Sequence, residues 1–569
     1  MEKILSKYSI VVDNVPADVK IYQGAKELVP IYEVTFPTIE KASQAALDSV
    51  REKLLTEITF TTEEILNPSE ASELKDGFIK TSYKMIKDQL PNLSEENVKI
   101  LVGILLQHSL GLGPIEIMLD DRNLEEIVIN SSKEPIWVYH IKLGWMKTNI
   151  IISSEPQIYN YASAIGRKVG EQITNLNPLM DAYLSTGDRT NATLFPISSH
   201  GNTLTIRKFR RRPWTITDFI DTGTLSTELA AFLWLAIQYE LNMVISGGTA
   251  SGKTSLLNSL LCFIPSNHRI ISIEDTRELQ LPDFLHWVPM TTRPPNPEGK
   301  GEITMLQLMI NSLRMRPDRV VVGEIRRKRE AEVLFEAINT GHSVYSTLHA
   351  NTAEETYRRL ANPPIGIPVA LMSDLQLITV MHRDRRKNIR RVLQVAELAA
   401  GSGLEETRID MNTVFRWIPG DDKIIKMSKS YRAVNDVKLF TGMVDNDIEN
   451  DLKEKTKVLD YLVANKINDV NSVGRIVSEY YTNPKETLGK IKSGRLDVKD
   501  LMEKAKQEQA EAEAKDHVEK VLGAKIVPRP AQRPVRKEAR PAPKQQAKKA
   551  EIKKVNAKER AEKHRKWKR

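Results

Sequence analysis

The stretch Asn242–Thr254, NMVISGGTASGKT, constrains this chain more than any other. Apolar Met243, Val244 and Ile245 suit a strand covered on both faces. Gly247, Gly252, Lys253 and Thr254 follow at the G-x-x-x-x-G-K-[ST] spacing. Glycines there let the backbone wrap round an anion with successive N–H groups turned toward it. A helix from near Lys253 to Cys262 aims its positive end at the same place. The implied ligand is ATP, with its phosphate chain cradled by Gly247, Gly248, Thr249, Ala250, Ser251, Gly252, Lys253, Thr254 and Ser255. Lys253 is expected to neutralise the β- and γ-phosphates and the Thr254 hydroxyl to ligate Mg²⁺.

The length of the chain implies several domains, and 41% hydrophobic residues can fill more than one core. A single cysteine, Cys262, excludes an internal disulfide and a multi-cysteine zinc site and fits a reducing cytosol. The first 20 residues hold no sustained apolar run, so no secretory signal is expected. The longest apolar stretch, Leu229–Ile245, is broken by Gln238, Glu240 and Asn242. It falls short of the roughly 18 uninterrupted residues that suggest a membrane span. A soluble chain with at most peripheral membrane contact is expected. The formal charge of +9 is unevenly spread: residues 525–569 hold 18 Lys+Arg and 4 Asp+Glu, or +14, which leaves −5 for residues 1–524.

Residues 1–95 are charged, with helical patterning at Ile39–Thr61 and Gly77–Leu90, and a packing or partner role is expected there. Residues 96–212 read as a small α/β domain, with a helix over Glu95–Leu110 and short strands at Glu126–Asn130, Ile136–Tyr139 and Ile150–Ser153. Its last part, Asp181–Phe209, is strand–turn–strand and closes in a basic cluster. Residues 213–225 read as a linker. Residues 226–400 alternate strands and helices around the glycine loop, the pattern of a RecA-like P-loop core. Residues 401–524 carry a hairpin at Thr413–Met427 and then helices, the last a charged one at Asp497–Leu522. Residues 525–569 lack the apolar content to offset chain entropy, so a disordered basic tail is expected.

A phosphate loop needs acidic partners, and two sets follow in order. Glu324 ends the strand Arg319–Val322, where an acid either sits near Mg²⁺ or polarises the attacking water. Glu274 and Asp275 end the strand Arg269–Ile273 and are expected at the carboxyl edge of the sheet, Glu274 organising water and Asp275 the metal. His342 and His349 bracket the strand Ser343–Leu348; each is either structural or a sensor of the γ-phosphate. Arg189, Arg207 and Arg210 lie upstream and either face solvent or reach phosphate from a neighbouring domain or subunit. Arg326 flanks Glu324 and suits an ion pair with it.

Four boxes therefore stand in one order: GGTASGKT (247–254), ISIEDTREL (271–279), RMRPDRVVVGEIR (314–326) and TGHSVYSTLHAN (340–351). This set resembles the Walker A, Asp box, atypical Walker B and His box of the type II/type IV secretion ATPase superfamily. Upstream, GLGPIEIMLDD, WVYHIKLGWMKTN, LMDAYLSTGDRTNATLFP and TIRKF resemble its archaeal branch, which powers archaella and type IV-like pili. The resemblance is strong over about 95–400, weaker to about 490 and absent from the tail. It implies a homohexameric, Mg²⁺-dependent ATPase on the cytoplasmic face of the membrane, driving a polytopic platform protein. Glu324 then matches the Walker B glutamate, Glu274 an Asp-box acid, and His342 and His349 the His box. The single cysteine departs from relatives that carry a four-cysteine zinc insertion.

A retraction or conjugative secretion ATPase shares this chemistry. A nucleic-acid motor is a further alternative, but the tail has one tryptophan, Trp567, and no interleaved aromatics for base stacking, so no specific nucleic acid is expected. The tail suits anionic lipid, at roughly 1 kcal/mol per basic residue near the surface, or serves only to solubilise.

Overall fold

The computed structural model describes residues 2–494, except 58–67, 170, 185–186, 210–211, 296–298 and 401–408. The expected helix at Asp497–Leu522, the basic tail and Arg210 lie outside the described residues.

The first sheet contains β1 (Lys3–Val12), β2 (Val15–Gln23), β3 (Ile31–Thr35), β4 (Leu124–Ile129), β5 (Pro135–His140), β6 (Gly144–Ile151), β7 (Leu179–Tyr183), β8 (Arg189–Thr193) and β9 (Thr203–Arg207). Their order is β1-β2-β3-β6-β5-β4-β9-β8-β7. Neighbours are antiparallel except β3 and β6. The expected helical, charged region over 1–95 is corrected in its first part: residues 3–35 hold three strands that extend the sheet of the next block. Val15, Ala17, Val19 and Ile21 are buried at every second position of β2, the period of a strand with one covered face. Asp13 and Asn14, at φ 50° and 65°, make the two-residue turn between β1 and β2.

Helices α1 (Lys41–Glu57), α2 (Pro68–Gln89) and α3 (Glu95–Ser109) share an apolar core of their own through Val50, Phe78, Ile86 and Leu101. Ser94 starts α3 by accepting the N–H of Asn97. Helices α4 (Ile115–Asp120) and α5 (Glu155–Val169) cover the sheet through Ile117, Ile158 and Ile165.

The second sheet positions the site. It comprises β10 (Met243–Gly247), β11 (Ile270–Glu274), β12 (Trp287–Thr291), β13 (Arg319–Val322), β14 (Ser343–Leu348), β15 (Leu377–Asp384), β16 (Ile389–Ala400), β17 (Ile409–Ile418) and β18 (Lys423–Lys426). The order is β12-β11-β13-β14-β10-β15-β16-β17-β18. The six from β12 to β15 run parallel, and β16, β17 and β18 add antiparallel. An expected boundary at residue 400 is therefore corrected: the hairpin beyond it continues the same sheet.

The remaining helices are α6 (Ile216–Asp221), α7 (Thr227–Gln238), α8 (Lys253–Leu261), α9 (Met305–Ser312), α10 (Lys328–Asn339), α11 (Ala353–Ala361), α12 (Val369–Met372), α13 (Arg432–Thr441), α14 (Asp445–Ala464), α15 (Val470–Thr482) and α16 (Pro484–Ser493). Within β10, Met243 and Ile245 join the core beneath α7 and α8, whereas Val244 joins the opposite core beneath α9 and α10. That two-sided burial is why the strand reads as one apolar run. The expected linker 213–225 contains α6, whose start is fixed by the Asp218 carboxylate accepting the Thr215 N–H at 3.0 Å. The C-terminal helices lock onto the same core. Trp234 stacks on Phe263 at 4.8 Å and donates to the Tyr481 hydroxyl at 2.7 Å, which donates to the Phe263 carbonyl. No helix among the described residues is long and apolar enough to cross a membrane.

Candidate active site

All six parallel strands end at one edge, and β10 delivers the glycine loop there. Gly247 has φ 154°, and a Cβ on it would lie 2.5 Å from the Met381 carbonyl of β15, so only glycine fits. Ala250 and Gly252 also have positive φ, 58° and 94°, which turns the loop into the start of α8. The loop is braced by its own groups: the Ser251 hydroxyl donates to the Gly248 carbonyl at 2.8 Å, and Arg390 Nε of β16 donates to the Ala250 carbonyl at 3.1 Å. Alternating φ signs and a helix start are the backbone of an anion cradle, so the loop fits a phosphate chain. Thr254 and Ser255 follow in the first turn of α8.

The side chains at this edge form a continuous chain of charge. Buried Lys253 reaches the Gly248 carbonyl and His349 Nδ1, both at 3.3 Å. His349 Nε2 lies 3.0 Å from Glu324 Oε1. Glu324 Oε2 accepts from Arg326 Nε and Nη2 at 2.9 and 2.6 Å. Arg326 Nη1 donates to Asp275 Oδ2 at 2.6 Å, and the Thr292 hydroxyl donates to Asp275 Oδ1 at 3.3 Å. Burial, then the Lys253 charge, lowers the His349 pKa below the usual imidazole value against the pull of Glu324. A neutral ring is the result. Its partners assign Nε2–H as donor to Glu324 and Nδ1 as acceptor from Lys253. Burial also lowers the Lys253 pKa, and Glu324 and Glu278 oppose it. Burial opposes the charge on Arg326, but the Glu324 hydrogen bond and the charges of Glu324, Asp275 and Glu330 outweigh it and hold the guanidinium protonated.

Glu274 and Asp275 point apart, as neighbours at a strand end must. Glu274 is 2% exposed; its Oε1 accepts the N–H groups of Glu278 and Leu279 at 2.9 and 3.1 Å, while Oε2 is buried without a partner. Burial pushes its pKa up to about 7, against the two backbone hydrogen bonds. The hydroxyl of Thr254 and the carboxylates nearby are hard oxygen donors of the kind Mg²⁺ takes alongside phosphate. Among the described residues no group of three or more His, Cys, Asp and Glu is set to hold a metal alone.

Not every expected residue joins this network. His342 sits at the opposite edge: β14 separates it from His349, six residues or roughly 20 Å. There its ring lies 3.2 Å from the Ala337 carbonyl and 3.0 Å from the Thr340 hydroxyl, closing α10. Arg189 is held by a bidentate pair with Asp181 at 2.9 and 2.5 Å, which raises its pKa. Arg207 is exposed and pairs in register with Arg189 and with Glu126.

The sequence reading passed over the run HRDRRKNIRR (382–391), which forms the β15–β16 hairpin. Together with His349, Asn351 and Arg359, its residues Arg383 and Arg385 line a cavity of about 430 Å³ against Gly247, Gly248 and Thr249. A basic run directly after the strand beside the loop strand was the available signal.

Comparison with known proteins gives the family. The type II/IV secretion system protein family matches residues 189–395. An uncharacterized protein of Methanocaldococcus jannaschii is 33% identical over 468 residues, covering 81% of each chain. The chain belongs to the type II/IV secretion ATPase family. The type IV secretion system protein VirB11 of Bartonella henselae is 27% identical over 310 residues, or 48% of this chain and 84% of that one. The crystal structure of the VirB11 ATPase from Brucella suis matches at 25% identity and a TM-score of 0.26, covering 50% of this chain and 91% of that one. Membership accounts for an α/β nucleotide-binding core in which one strand edge gathers the loop, the acids and His349.

Proposed function

We propose that this chain is a Mg²⁺-dependent, homohexameric ATP-hydrolysing motor on the cytoplasmic face of the membrane. Its work is to drive assembly of an archaellum or type IV-like pilus through a polytopic platform protein. The observation that carries the reading is the unbroken chain from Lys253 through His349, Glu324 and Arg326 to Asp275 at the mouth of the glycine loop. Lys253 leaves His349 and neutralises the β- and γ-phosphates. His349 keeps its Nε2–H on Glu324 Oε1 and so fixes the plane of the carboxylate, whose remaining lone pairs orient the attacking water. Arg326 restrains the same carboxylate and its neighbour Asp275. Glu274, with one buried oxygen unpartnered, is the second acid that organises water. Mg²⁺, held by Thr254 and Asp275 with phosphate oxygens, would supply charge neutralisation on the β- and γ-phosphates. Arg189 and Arg207 of the upstream sheet, with Arg210 outside the described residues, are the arginines offered to the phosphates of a neighbouring subunit, and His342 lies apart from this network. The basic tail is assigned to anionic lipid.

The test is Glu324→Gln. It should bind ATP normally and lose about a hundredfold or more in turnover. Hydrolysis at the wild-type rate would refute the assignment. The conjugative or retraction alternative keeps the same chemistry and differs only in cargo.

A further inference from the structure

The β15–β16 hairpin touches two places at once. Its Arg390, paired in register with Arg383, braces the glycine loop. Its tip meets the first sheet: Asn388 Nδ2 donates to the Lys142 carbonyl at 3.3 Å, and Arg383 Nη2 donates to the Tyr139 hydroxyl at 2.6 Å. Arg383 also lines the cavity beside the loop, next to Gly248 and Thr249. Its guanidinium lies 6.0 Å from the Tyr139 ring, and its Nε is buried without a hydrogen-bond partner. On this half-buried side chain, a guanidinium Nε shut off from solvent and left idle costs stability unless something else completes it. Arg359 and Arg385 in the same cavity, with Lys253 behind it, outweigh the one carboxylate there, Glu355, and give the cavity the charge of an anion site.

We propose that Arg383 is a phosphate-contacting arginine supplied by the subunit's own hairpin, and that Tyr139 competes with the nucleotide for it. Without nucleotide, the Tyr139 hydroxyl holds the guanidinium and ties the first sheet to the hairpin. A nucleoside triphosphate in the cavity draws Arg383 onto its terminal phosphate, where a charge-assisted fork replaces a neutral hydrogen bond. Tyr139 is then released. Occupancy of the cavity is thereby transmitted to the upstream domain through one side chain. The inference rests on the ATPase reading and names the arginine that serves it. Arg189 is not among the residues that line this cavity, and its Nε and Nη2 are engaged by Asp181.

The experiment measures affinities of the full-length chain for a fluorescent non-hydrolysable ATP analogue and for fluorescent ADP. Four proteins are compared: wild type, Arg383→Ala, Tyr139→Phe and the double variant. Arg383→Ala should weaken the triphosphate about tenfold more than the diphosphate. Tyr139→Phe should tighten the triphosphate a few-fold, leave ADP unchanged, and have no effect in the Arg383→Ala background. A merely structural brace gives a different pattern: both nucleotides weaken equally, or Tyr139→Phe acts identically in both backgrounds. Either result overturns the proposal, as does equal loss of ATP and ADP on Arg383→Ala, which would place the base in the cavity. A wild-type chain that binds no nucleotide overturns the ATPase reading and this inference with it. Binding that ignores Tyr139 overturns the inference alone.

Discussion

Glu274→Gln should make the protein both slower and, at neutral to alkaline pH, more stable. The carboxyl is buried at 2% exposure with one oxygen unpartnered, and its pKa stands at about 7 against an ordinary 4.5. A folded-state pKa above the unfolded one means that protonation favours the fold. The associated stability is fully present below about pH 4.5 and is lost as pH rises to about 7. The difference of about 2.5 units, at 1.36 kcal/mol each, puts the loss near 3 kcal/mol. For a domain of this size that is on the order of 5 °C in melting temperature. Glutamine keeps a carbonyl oxygen for the Glu278 and Leu279 N–H groups but does not titrate. Whatever the buried amide itself costs is a constant offset. The pH dependence of the gap is not. The assay is thermal unfolding of both proteins from pH 4.5 to 8, without nucleotide and in EDTA. The variant should gain on the wild type across that range and the gap should level off above pH 7. A gap that does not change with pH would refute the claim that Glu274 is held in its site against its charge.

Three further outcomes follow from the site. Lys253→Ala should abolish nucleotide binding in a direct binding assay, because the buried ammonium is aimed into the loop mouth; measurable affinity would contradict it. Gly247→Ala should cost more than about 2 kcal/mol in denaturant unfolding, since its Cβ would stand 2.5 Å from the Met381 carbonyl at a backbone angle that L-residues avoid. Removing residues 525–569 should spare hydrolysis and weaken adhesion to anionic vesicles in a sedimentation assay, with a collapse of the rate counting against the lipid assignment.

Where the sequence was legible, local chemistry and topology agreed. The run Met243–Thr254 could satisfy its backbone and its glycines in one way only, so strand, loop and helix followed together. Glu324, Glu274 and Asp275 were readable because a parallel sheet brings strand ends to one edge. The same rule, applied to His342, would have separated it from His349: a strand between two residues places them at opposite edges. The hairpin at Asp13–Asn14 carried its turn signal, but the charge of the flanking residues hid the alternation of Val15, Ala17, Val19 and Ile21. Arg383 stands in a basic run that the sequence displays, but its place in the site is not legible there. Its position depends on β15 lying beside β10 and on Tyr139 of another sheet, pairings that no local pattern encodes.

The central claim is an ATP-driven motor assembled from several copies and docked on a membrane. Steady-state ATPase rate per subunit, followed against protein concentration alone, with anionic vesicles and with DNA, tests it most directly. Such a motor has a rate that climbs with concentration, climbs further with vesicles and ignores DNA. A rate independent of concentration and vesicles but raised by DNA would contradict it.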